Sequence, residues 1–257
     1  MVEGPTAKAY AIKISQKFEG ETVNDIIVKS KRVFIEPKEL LHKRFNGSDA
    51  LGKNIILFFE DFAVRVHLMM FGSIHVYELD EPLLKPFERV RLLVKGVRRK
   101  LVVYNAPVVE IDRRENILNR LMSTLGPDPL SEGWSREKAA ENLIRFGKEK
   151  VGAILLNQSV IAGIGNILKN EILFRAKISP EREVESLSEE EVKRIIEQCE
   201  LLSREFLRLK VEGKSIGQNL YVYNRYRGMC KYCGNPIRFY MQKPINRKTF
   251  VCENCQK

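Results

Sequence analysis

Apolar residues recur at Ala7, Ala11, Ile14 and Phe18 behind Pro5, the spacing of one helical face, and Gly20 marks the end of that helix. From Val23 to Val103 the pattern changes. Residues 26–28, 33–35, 55–59, 63–69, 74–77, 90–94 and 101–104 are short β-rich runs separated by Asn, Gly, Asp, Lys or Pro. Turn centres are expected at Gly47-Ser48-Asp49 and Glu60-Asp61. Many short strands at this spacing predict a β-sandwich or barrel. After Tyr104 a proline-containing connection leads into a helical half. Ile117, Leu118 and Leu121 open it, and Gly126-Pro127 interrupts it. Ser135 is placed to cap a helix to about Phe146, and Ser188-Glu189-Glu190-Glu191 is a capping-box signature for a long helix to about Leu209. The expected fold is α+β and multidomain: a β-sandwich with a leading helix over 1–112, a helical domain over 113–220, and a small cysteine-bearing hairpin over 221–257.

Charge narrows the choice of partner. Lys and Arg number 44 against 33 Asp and Glu, a net charge of +11. Such a surplus points to a polyanion. The longest apolar runs fall well below the ~20 residues that cross a bilayer, and no secretory signal opens the chain. An intracellular protein, cytoplasmic or nucleoid-associated (nuclear in a eukaryote), is expected.

Four of the five cysteines close the sequence as C-x2-C, 18 residues, C-x2-C: Cys230, Cys233, Cys252 and Cys255. Two such knuckles bring four thiolates to one point, which fits one structural Zn2+. Disulfides are the other reading, and an intracellular chain disfavours them. With all four thiolates engaged, that ion has no open position for water. Cys199 shares an apolar register with Val192, Ile195, Ile196, Leu202 and Phe206, and reads as a core thiol.

Groups for chemistry are few. The three histidines have no matched Ser or Cys partner, and His67 and His75 read as structural. The N-terminus is the unusual candidate. Val2 is small enough for removal of Met1, which would leave a primary α-amine. Roughly a third of such an amine is neutral at pH 7.4, against about 0.1% of a lysine. Glu3 stands beside it. A second candidate is the Gly-rich turn Gly163-Ile164-Gly165-Asn166 between two helical stretches. Backbone N–H groups at a helix start suit a phosphate, the glycines permit close approach, and Asn166 adds a donor. A turn packed into the core explains the same residues equally well.

Three separated segments coincide with one family. Met1-Val2-Glu3-Gly4-Pro5, the stretch Gln158-Ser159-Val160-Ile161-Ala162-Gly163-Ile164-Gly165-Asn166-Ile167, and Asn246-Arg247-Lys248-Thr249-Phe250-Val251-Cys252 resemble the start, the helix–two-turn–helix motif and the zinc-finger end of the formamidopyrimidine-DNA glycosylase/endonuclease VIII family. The resemblance implies a bifunctional DNA glycosylase and abasic-site lyase of base-excision repair, a monomer acting on damaged DNA, duplex and also single-stranded or bubble DNA. Val2 would be the amine nucleophile that forms a Schiff base at the sugar, and Glu3 the general acid/base. Lys53, Asn166 with Gly165, and Arg247 would hold phosphates around the lesion. Met70, in His67-Leu68-Met69-Met70-Phe71-Gly72, would be the wedge that fills the gap left by the extruded base.

Departures from the family pattern refine this. Val2 replaces the usual proline, so the amine is primary, a change shared by some vertebrate endonuclease VIII-like proteins; β-elimination is expected to dominate, with δ-elimination still open. Thr6 stands where many relatives carry a second glutamate, and Met69 replaces a common glycine. Tyr104-Asn105-Ala106-Pro107-Val108-Val109-Glu110 lacks the Asp-Pro-Arg-Arg-Phe-Gly pattern of the formamidopyrimidine branch, and the 211–217 connection is short for a loop that caps 8-oxoguanine. Both features favour an endonuclease VIII-like enzyme for oxidised pyrimidines. A non-catalytic zinc-ribbon DNA-binding protein and a lyase with little base excision are the alternatives.

Overall fold

The computed structural model describes residues 2–257. The chain divides into two compact units, one of Val2 with 6–123 and one of 3–5 with 124–257.

The first unit is a β-sandwich with a helix on it. Helix α1 (Gly4–Phe18) lays Ala7, Ala11, Ile14 and Phe18 into the core, the stripe its spacing required. Nine strands follow: β1 (Asp25–Val28), β2 (Arg32–Val33), β3 (Phe45–Leu51), β4 (Asn54–Phe59), β5 (Phe62–His67), β6 (Ser73–Glu78), β7 (Val90–Lys95), β8 (Arg99–Tyr104) and β9 (Val108–Arg113). They form a five-stranded sheet ordered β2-β9-β5-β4-β3 and a four-stranded sheet ordered β1-β7-β8-β6. Neighbours are antiparallel except for the short parallel pair β2–β9. The two inner faces share one apolar core. Ile55, Leu57, Val64 and Val66 come from the larger sheet, and Ile74, Leu92, Val94, Leu101 and Val103 from the smaller. Phe45 sits edge-on between Phe18 and Phe59, with centroid separations of 5.3 and 5.4 Å, so one ring joins α1 to the larger sheet.

Three sequence expectations fail here. Gly47-Ser48-Asp49 is not a turn but the middle of β3. Gly47 has φ +117° where the register with β4 shifts, so its turn-like composition marks a β-bulge. Residues 108–113 are a paired strand rather than an irregular link: β9 hydrogen-bonds β5 from Phe62↔Arg113 to His67↔Val108. Its polar Glu110 and Asp112 concealed it. Both are buried, with Arg65 and Arg120 on Glu110 and Arg120 on Asp112. The run at 33–35 is also shorter than expected, since only Arg32 and Val33 pair.

The second unit contains α2's last residue onward, α2 itself being Arg114–Thr124. Then come α3 (Arg136–Ile144), the single turn α4 (Val151–Ile154), α5 (Asn166–Ala176) and α6 (Glu189–Val211). Ser135 accepts from the Lys138 amide, and Ser188 with Glu191 completes the expected capping box. Helix α5 is surrounded: Leu168, Ile172, Leu173 and Ala176 pack with Ile195, Ile196, Cys199 and Leu202 of α6. Cys199 is a core thiol as expected, its pKa pushed up by burial. The unit ends in the hairpin β10 (Arg238–Gln242) and β11 (Arg247–Val251). No helix among the described residues is long and apolar enough to cross a membrane.

Candidate active site

In the β-sandwich unit the backbone nitrogen of Val2 donates to the Met69 carbonyl at 3.1 Å, and its side chain packs on the core. Met69 lies in the loop after β5. It adopts φ +49°, the left-handed region that favours glycine, and its amide donates to His67 Nδ1 at 3.2 Å. Met69, Met70 and Phe71 are 50, 57 and 78% exposed, a run of large apolar side chains that folding leaves uncovered. Met70, the expected wedge, stands at its centre. Lys53 lies in the two-residue turn between β3 and β4, where Gly52 takes φ +59°. The pKa of His67 is held down by burial first, then by the charges of Arg65 and Lys53, so its imidazole stays neutral beside two cations.

In the helical unit Glu3 is buried. Its two carboxylate oxygens accept from the amides of Ile167 (2.7 Å) and Leu168 (3.1 Å), the first turn of α5. Those donors were the ones expected to await a phosphate. The carboxylate takes that place instead, at the helix end that suits negative charge. Gly165, the residue before the helix, makes room: a Cβ there would fall under 3.0 Å from Cγ, Cδ and Oε1 of Glu3. The Gly4 amide donates to the Gly163 carbonyl at 2.9 Å, so this glycine turn holds the backbone of residues 3–5 as well.

Asn166 is buried beside this cap and donates Nδ2 to the Lys248 carbonyl at 2.9 Å. Tyr223 lies next to both. Burial raises its pKa, the Glu3 charge adds to that, and a hydrogen bond with Asn166 opposes it. The structure thus brings Glu3, Gly165 and Asn166 to the start of α5, and the Asn166 contact ties them to β11, the strand that Arg247 begins.

The four cysteines of the hairpin module converge. Their sulfur atoms all lie within 4.8 Å of one another, with Cys233–Cys252 at 3.4 Å and Cys230–Cys255 at 3.8 Å. A tetrahedral ion with Zn–S bonds of ~2.3 Å sets sulfurs about 3.8 Å apart, so the donor set fits zinc. Cys230 and Cys252 also pack with Phe174, Val222, Ile237 and Phe250, giving the module a small core of its own.

Models of known families place these features. The formamidopyrimidine-DNA glycosylase N-terminal domain matches residues 1–107, and the H2TH domain of formamidopyrimidine-DNA glycosylase matches residues 125–218. The chain belongs to this family. Formamidopyrimidine-DNA glycosylase of Geobacillus kaustophilus is 29% identical over 266 residues, covering 93% of each chain, and that of Cronobacter sakazakii is 29% identical over all of both. Among solved structures, Lactococcus lactis formamidopyrimidine-DNA glycosylase bound non-covalently to DNA containing an abasic site is 26% identical. It covers 99% of each chain with a TM-score of 0.88.

Sequence reasoning missed the polar groups buried around α5. Glu171 is fully buried and accepts from the amides of Tyr221, Val222 and Tyr223 at 2.8–3.0 Å, which shapes the approach to the zinc module. Lys169 and Asn170 contact the hairpin. Local sequence carries no signal of this burial, which comes from the hairpin on Lys169 and Asn170 and from residues 221–223 on Glu171.

Proposed function

We propose that the protein excises oxidised pyrimidines from DNA through an imine on the α-amine of Val2. As a member of this family it is a DNA glycosylase of base-excision repair with lyase activity at abasic sites, and DNA is its partner. The observation that carries the chemical reading is the capture of Glu3 by the first turn of α5, beside the residue whose nitrogen would react. Once Met1 is removed, the Val2 nitrogen attacks C1′ of the extruded nucleotide, the C1′–N bond to the base breaks, and Glu3 takes the proton lost from the Val2 nitrogen, which leaves a neutral aminal. Glu3 returns that proton to the ring oxygen as the C1′–O4′ bond breaks, leaving the protonated Schiff base, and a later proton loss at C2′ expels the 3′-phosphate by β-elimination. Lys53, Asn166 and Arg247 serve as phosphate grips and Met70 as the wedge, with the zinc ion holding the hairpin and taking no part in the steps.

The endonuclease VIII-like branch is supported by the β8–β9 connection. Asn105-Ala106-Pro107 has no arginine to fill the void opposite the lesion. In this reading 1–112 carries the amine, 113–220 the helical grip and 221–257 the zinc module of a monomeric intracellular enzyme. A panel of lesions in single-stranded and duplex DNA tests it. Thymine glycol and 5-hydroxyuracil are expected to be released about tenfold or more faster than 8-oxoguanine opposite cytosine, the difference a few mispaired pocket contacts make. Equal rates would return the protein to the purine-lesion branch.

A further inference from the structure

The face of α5 that meets the hairpin is buried yet polar. Asn166 donates to the Lys248 carbonyl at 2.9 Å, and Asn170 accepts from the Phe250 amide at 2.7 Å. Between them Lys169 donates to Thr249 Oγ1 at 2.7 Å and reaches Gln242 Oε1 at 3.4 Å. Lys169 is fully buried, a rare place for a lysine. Arg247 stands two residues before Thr249, on the same face of β11, and its like charge disfavours the charged amine, while Glu181, in the segment after α5, favours it. Glu181 is itself engaged by Lys150, just before α4, and by the Tyr240 hydroxyl of β10 at 2.7 Å. The other side chains on Lys169, Thr249 and Gln242, are neutral. Burial, and then Arg247, lower the pKa of Lys169 to about 7 from the usual 10.5.

We infer that Lys169 is a positioning residue that couples DNA binding to proton uptake: a phosphate seated on Arg247 offsets the like charge facing the buried amine, and Lys169 takes up a proton as DNA binds. This rests on the reading that Arg247 holds phosphate. The protonated form donates to both Thr249 and Gln242 and so fixes β11, the strand that presents Arg247, against α5. The sign follows from linkage. Bound DNA favours the charged form, so the bound pKa exceeds the free one. Affinity is greatest below the free value and falls as pH rises through the window between the two.

The test is calorimetry with a duplex carrying a tetrahydrofuran abasic analogue, which cannot form an imine. Titrations of the zinc-loaded protein at pH 8 in buffers of different ionisation enthalpy give the protons taken up, and affinities are followed from pH 7 to 8.5. The Val2 amine titrates in the same range, so the readout is the difference between wild type and Lys169→Met or Lys169→Gln. The glutamine variant keeps a donor toward Thr249 and guards against a collapsed hairpin. Wild type is expected to take up roughly half to one proton more than either variant, and to lose about three- to tenfold more affinity over that pH range. Parallel pH profiles, even with weaker binding by both variants, would reduce Lys169 to a structural residue and overturn the coupling. Arg247→Ala separates the two layers. It is expected to weaken binding and abolish the differential uptake, whereas unchanged affinity would overturn the phosphate reading beneath the inference.

Discussion

Gly165→Ala is expected to lower the rate of base release by about 10²-fold or more while leaving the protein folded and able to bind DNA. A methyl group at this position has nowhere to go. It would lie under 3.0 Å from three atoms of the Glu3 side chain, and Glu3 is fixed at that spot by the Ile167 and Leu168 amides. Of the two, the side chain with rotatable bonds gives way. Its carboxylate then leaves the helix start, and proton transfer to the opening sugar loses a placed partner, a contribution of ~10²–10⁴ in rate. Binding is expected to be spared because the amides behind Gly165 are taken by Glu3 rather than by phosphate, and the side chains of Lys53, Asn166 and Arg247 are unchanged. Single-turnover release from a lesion duplex, paired with equilibrium binding to an abasic analogue, checks both halves. Loss of binding in step with rate would mean that the substitution disrupts the turn as a whole.

Removing the metal is the second large effect. Cys252→Ser, or prolonged treatment with a strong chelator, is expected to weaken DNA binding by about 10²-fold and to melt the hairpin module at a lower temperature than the helical core. The module's small cluster includes two of the metal-binding cysteines themselves, Cys230 and Cys252, so few apolar contacts remain to hold it without the ion. Helices α3, α5 and α6 have their own core and are expected to persist. Zinc content by atomic absorption, salt-dependent binding and far-ultraviolet circular dichroism together test this. A metal-free protein that binds DNA normally would contradict the hairpin's role as a grip.

How much of this was legible in the sequence depended on where each residue's partners lie. Helix α1, the capped helices α3 and α6, and each two-cysteine knuckle rest on neighbours within a few positions, and pattern alone recovers them. Strands β3 and β9 did not reveal themselves, because a bulge glycine breaks the pattern of the first and the two buried carboxylates of the second are explained only by Arg65 and Arg120. The same holds at the site. The glycine-rich turn was recognisable, but its vacancy was filled by Glu3, more than 160 positions away. Sequence reasoning left the helix start open between a phosphate site and a packed turn, because local sequence cannot show that another part of the chain already occupies it. Lys169 is the extreme case, a lysine whose interest comes entirely from the strand that covers it.

The central claim is that an unblocked valine nitrogen forms the covalent intermediate. Borohydride reduction during reaction with abasic-site DNA, followed by proteolysis and mass spectrometry of the cross-linked peptide, tests it most directly. The account predicts a reduced sugar adduct on the nitrogen of Val2 in a chain lacking Met1. An adduct on a lysine, or efficient trapping by protein that retains Met1 or carries an acetylated terminus, would contradict it.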